Sequence, residues 1–90
     1  MQIKDLKPGM KSVDIKVKIV KKVIEKKIKT GRLAEFEVED ETGKITLVAY
    51  DDKIDELELG KEYELKNAFV NIFKGKKQLN IGRVGKVIKV

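Results

Sequence analysis

Asn67-Ala-Phe-Val-Asn-Ile-Phe-Lys-Gly-Lys-Lys-Gln-Leu-Asn-Ile-Gly-Arg83 reads as two strands joined by a short turn at Lys74-Gly75-Lys76-Lys77. Successive strand side chains point to opposite faces, so Ala68, Val70 and Ile72 share one face and Phe69, Asn71 and Phe73 the other. On the returning strand Leu79 and Ile81 face one way, while Gln78, Asn80 and Gly82 face the other. The aliphatic set can fill a core. The remaining set puts two phenylalanines among amides, beside a tip rich in lysine. That arrangement is costly on a solvated face unless a flat, anionic partner covers it.

Upstream, the cleanest period of two begins at Val13, where Val13, Ile15, Val17 and Ile19 alternate with Asp14, Lys16 and Lys18. The phase slips at Val20-Lys21-Lys22, after which Val23, Ile24 and Ile28 are the apolar positions, so this first strand is predicted to be bulged or bent. Residues 26–32 form a basic turn hinged at Gly31. A second strand, 33–39, turns Ala34, Phe36 and Val38 inward and Glu35, Glu37 and Glu39 outward. Asp40-Glu-Thr-Gly43 is a hairpin turn into a third strand, 44–50. There Ile45, Leu47 and Ala49 oppose Thr46, Val48 and Tyr50.

Asp51 or Asp52 is placed to cap a short helix running through Leu57, with Gly60 beyond its end. The fourth strand spans 62–73, with a second slip of phase near Lys66-Asn67, and the fifth spans 78–82. Phe36 and Tyr63 share faces with aliphatic neighbours and are assigned to the core. Residues 1–12 are a lead-in anchored by Leu6 and Met10, and 84–90 a terminal strand or tail whose Val84, Ile88 and Val90 can pack.

Five strands, a bent first strand and a helix between strands 3 and 4 describe an all-β, Greek-key OB-fold barrel. Residues 1–90 are expected to form one domain. The turns at 26–32 and 73–78 then flank the binding face of the barrel, and both are basic. Charge is segregated along the chain: residues 1–34 carry +8, residues 35–64 carry −9 and residues 65–90 carry +7. If the two ends meet, they form one cationic surface backed by an acidic one, which would draw a polyanion to one side. Single-stranded nucleic acid is flat and anionic, and stacks on aromatic rings while its phosphates meet lysines.

Cysteine and histidine are absent, which removes thiolate nucleophiles, disulfides, the usual general base and the commonest metal ligands. Ser12, Thr30, Thr42 and Thr46 have no histidine to activate them, so no enzyme is expected. Asp51, Asp52, Asp55 and Glu56 are read as helix-capping acids, and no metal or cofactor is expected. No apolar run is long enough to span a membrane, and the start lacks the apolar middle of a signal peptide, so the cytoplasm is the expected location. The Lys/Glu-heavy, cysteine-free composition points to a thermophile or to an engineered or consensus sequence.

Several segments resemble the archaeal single-stranded-DNA-binding proteins of simple one-OB type, relatives of the replication protein A domains. They are Asp40-Glu-Thr-Gly43, Ile45-Thr-Leu-Val-Ala-Tyr-Asp51, Leu59-Gly60-Lys61, and Asn67-Ala-Phe69 through Phe73-Lys-Gly75 to Gln78-Leu-Asn80. The similarity runs from about Ile3 to Val90, and 67–80 is its most specific part. The resemblance implies base stacking on three aromatics. One ends strand 3 before an Asp, matched by Tyr50, and two lie four apart in strand 4, matched by Phe69 and Phe73. Tyr50 and Phe69 stand where the family often has tryptophan, which implies less contact area.

The expected interface therefore comprises Tyr50, Phe69 and Phe73 for bases, and Arg32, Lys74, Lys76, Lys77 and Arg83 for phosphate. Asn71, Gln78 and Asn80 are expected at base edges or sugars. The expected partner is single-stranded DNA bound with little sequence preference by a monomer. An RNA-binding OB module or a protein-interaction adaptor would use the same surface.

Overall fold

β1, Val13–Ile28, sets the architecture because it serves two neighbours. Val13, Ile15, Val17 and Ile19 are all buried, as their alternation predicts. In the computed structural model, which describes residues 1–90, the register of β1 against β2 (Gly31–Asp40) shifts between Ile19 and Lys21 and again between Lys22 and Ile24. These bulges are the phase slip seen in the sequence. They bend the strand so that Val13–Lys18 pairs with β4 (Glu62–Phe73) while Lys18–Ile28 pairs with β2.

β2 returns through a two-residue hairpin loop into β3, Gly43–Tyr50, with Asp40 opposite Gly43. α1, Asp52–Asp55, follows, and Ile54 and Leu57 are buried beneath it. β5, Lys76–Ile81, pairs antiparallel with β4 and parallel with β3, closing the ring β1-β2-β3-β5-β4-β1. This five-stranded closed sheet with a helix between β3 and β4 is the expected OB-fold barrel.

β6, Lys86–Lys89, adds to the Tyr63–Lys66 half of β4. The second slip of phase is real too: Val13 pairs with Ala68 but Ile15 with Leu65, so β4 carries one extra residue around Asn67, whose φ is +59°. The Asn67 N–H donates to Asp14 Oδ1 at 3.0 Å, which satisfies the donor that the bulge frees.

The interior is a cluster of aliphatic side chains around Phe36. Tyr63 is buried, as expected, and its hydroxyl accepts from the Glu58 N–H at 2.9 Å. The lead-in closes one side of the barrel, with Ile3 and Leu6 buried and Met10 packed against them. It is tied down by Ile3 N–H to Asp40 Oδ2 (2.8 Å), Lys4 N–H to Thr42 Oγ1 (3.1 Å) and Lys77 Nζ to the Leu6 carbonyl (2.9 Å).

Three local expectations fail. Ile72 has the core phase of Ala68 and Val70 but is 56% exposed, because the β4–β5 hairpin runs past the end of the barrel and nothing lies opposite it. Val84, Ile88 and Val90 are exposed, and it is Val87 that packs against the core. Asp51 stands before α1 but forms no cap bond; its carboxylate instead accepts the Arg32 N–H at 3.0 Å.

Candidate nucleic-acid interface

Pairing register fixes what shares the outer face. Glu35 lies opposite Val48, Val48 opposite Asn80, and Asn80 opposite Phe69. One step along, Glu37, Thr46, Gln78 and Asn71 form the next row, and Tyr50 lies opposite Leu33. Paired strand residues project to the same side of a sheet, so these side chains form one surface turned away from the core.

The three rings sit on it. Phe69 is 38% exposed, Phe73 is 52% exposed and Tyr50 is half-buried, and none belongs to the core cluster. At strand rise, Phe69 and Phe73 are ~13 Å apart, too far to sandwich one base. Partial burial pushes the Tyr50 phenol above its usual 10.0.

A shallow groove of about 260 Å³ runs between Tyr50 and Phe73, floored by Val48 and Leu33 and edged by Asn71 and Gln78. Lys26 and Ile28, from the upper part of β1, form its far wall. At the tip, Lys74 and Gly75 have φ of 53° and 79°, the positive pair required by the tight hairpin loop that matches strand twist. Lys74 Nζ lies 5.3 Å from the centre of the Phe73 ring, so a cation hangs over an exposed aromatic. Lys76 is exposed beside it, and Arg83 is exposed beyond Tyr50, with Nε 3.8 Å from Asp51 Oδ2.

Other expected contacts are occupied by the protein itself. Arg32 donates to Asp55 (2.7 Å) and Glu25 (3.3 Å), and these carboxylates raise its pKa further, Asp55 foremost. Lys22 also pairs with Glu25, and Arg32 and Lys22 together hold the Asp55 and Glu25 carboxyls below their usual range. Lys77 shares the phase of Ile72, away from the groove surface, and its ammonium is bound to Leu6. Asn80 is 1% exposed, and its amide donates to Asn71 Oδ1 (3.0 Å) and the Gln78 carbonyl (3.3 Å). It orients Asn71 from beneath.

The basic turn is held in shape by Asp51. A Cβ on Gly31, whose φ is +144°, would lie 1.9 Å from Asp51 Oδ1, so only glycine fits there. Asp51 itself has the unusual φ of +51°, which swings its carboxylate back over Gly31 towards Arg32.

Charge is distributed differently from the expectation. The basic ends do meet, since β1 pairs with β4 and β4 with β6. The acidic block is not confined behind them, because Glu35 and Glu37 of β2 share the face that carries the rings. Alternation had placed them outward, but which strand lies beside which is decided by barrel closure.

The family described as single-stranded DNA binding protein Ssb-like, OB fold, matches residues 6–89. The single-stranded DNA binding protein Ssb of Saccharolobus solfataricus is 30% identical, over 96% of this chain and 61% of that protein. The chain thus spans about three-fifths of that relative's length. Among solved structures, the OB domain of a Thermoplasma acidophilum protein superimposes with TM-score 0.85 at 20% identity, covering 100% of this chain and 85% of that one. DNA binding domain A of Saccharomyces cerevisiae replication protein A gives 0.80 at 24% identity, covering 100% and 92%. At such identities the superpositions establish the fold, whereas the sequence match over nearly the whole length establishes the lineage. The chain belongs to the Ssb-like OB-fold family of single-stranded DNA binding proteins.

Proposed function

We propose that residues 1–90 act as one non-enzymatic, monomeric module that binds single-stranded DNA with little sequence preference. Tyr50, Phe69 and Phe73 stack on different bases, and Lys74, Lys76 and Arg83 neutralise phosphates at the two ends of the groove. Asn71 and Gln78 meet base edges or sugars. Arg32, Lys77 and Asn80 support the loop, the lead-in and Asn71 and do not themselves touch the strand. The observation that carries this reading is the exclusion of these three rings from a core that does take in Phe36 and Tyr63, on one face of a barrel from an Ssb-like family. Exposed aromatic area of that kind is unfavourable in water, and stacked bases would cover it.

The test is fluorescence anisotropy with labelled nine-residue oligo-dT and oligo-U at 50 and 200 mM salt. With three phosphate contacts, affinity for oligo-dT should fall ~20-fold across that range. A flat salt response would contradict the cationic half of the proposal. Binding confined to oligo-U would replace DNA with RNA as the partner.

A further inference from the structure

The groove is lined by one carboxylate, and the contacts above leave it unused. Of the carboxylates on β2, Glu37 is paired with Lys44 at 3.5 Å, Asp40 is bonded to Ile3 and Thr42, and Glu39 does not line the groove, whereas Glu35 lines it with neither ion pair nor hydrogen bond. It is half-buried and lines the groove with Tyr50 and Phe73. Its neighbour on β1 is Ile24, where Glu37 and Glu39 face Lys21 and Lys18. Lys26 borders the same groove but forms no ion pair with Glu35.

Because Glu35 pairs with Val48, Tyr50 is its diagonal neighbour across the strands, with side-chain origins ~7–8 Å apart. A base lying on the Tyr50 ring therefore brings its edge to the carboxylate. An ionised carboxylate only accepts hydrogen bonds, and it repels phosphate. What faces it must donate.

We propose that Glu35 accepts a hydrogen bond from the exocyclic amino group of the base stacked on Tyr50, so that the protein prefers cytosine to thymine. Cytosine presents an amino donor where thymine presents a carbonyl oxygen, and that oxygen would meet the carboxylate lone pair to lone pair. Ring size is the same for both, so stacking contributes little to the difference. The inference rests on the single-strand reading above and adds to it a base preference and its cause.

The experiment compares oligo-dC and oligo-dT nonamers by anisotropy, at one salt concentration and pH 7.5, for the wild type, Glu35→Gln and Glu35→Ala. The wild type should bind oligo-dC ~3- to 10-fold more tightly. Both variants should bring the ratio to about one, and Glu35→Ala should bind oligo-dT more tightly than the wild type as the repulsion disappears. Equal affinities in the wild type, or a preference that survives both substitutions, would overturn the role of Glu35 while leaving single-strand binding intact. Failure of the wild type to bind either oligomer would instead remove the parent reading, and this one with it.

Discussion

Phe69 and Phe73 expose 38% and 52% of their surface, so truncating either removes little that holds the barrel together. Phe36, at 1%, is the contrast, since emptying its site would leave a cavity and cost ~3–5 kcal/mol. Phe69→Ala and Phe73→Ala should each weaken oligo-dT binding by ~1–3 kcal/mol. Thermal melting should be nearly unchanged. Anisotropy titrations paired with melting curves check this, and unchanged affinity in both variants would remove the stacking role. At this scale the sequence was informative about facing and silent about partners. Alternation alone put both rings outside the core. It could not show that Arg32 is occupied by Asp55, 23 residues away, or that Asn80 is sealed beneath Asn71. A polar residue of the outward phase looks the same in sequence whether its neighbours cover it or not.

Among the elements, the lead-in depends on a few hydrogen bonds, and Asp40 is their centre. Partial burial pushes its carboxyl up, but hydrogen bonds from Thr42 and the Ile3 N–H outweigh this and hold it below the usual 3.8. A depressed folded-state pKa means that the carboxylate form stabilises the fold. That contribution is fully present above pH 3.8, the ordinary value, and is lost as pH falls below it through the folded-state value. Asp40→Asn should therefore flatten the loss of stability as pH falls below 3.8, and destabilise the protein at pH 7 by ~1–3 kcal/mol. Denaturant melts from pH 7 down through that region measure both, and a pH dependence identical to the wild type's would contradict the assignment. Element phase was legible wherever the strand lay inside the barrel, and the bulged regions of β1 and β4 announced themselves as breaks in the period of two. Val84, Ile88 and Val90 were misjudged because the inward position of that segment is Val87, and Ile72 for a different reason. Periodicity reports which face a residue takes but not where the opposing layer stops.

For the whole molecule, the joining of the basic ends follows from β1 pairing with β4, which the order of strands made foreseeable. The presence of Glu35 and Glu37 beside the rings did not follow from it, because linear charge blocks ignore how closure wraps one strand against the next. The surface that results is a ring-bearing groove with cations at its two ends and an acidic margin on β2. A strand entering it should lie along the rings and keep its phosphates away from that margin. Backbone and aromatic chemical-shift mapping during titration with oligo-dT tests this most directly. The account predicts the largest shifts at Tyr50, Phe69, Asn71, Phe73 and Gln78, with β6 and the lead-in unaffected. Shifts concentrated on β6 or around α1, with the three rings unmoved, would contradict it.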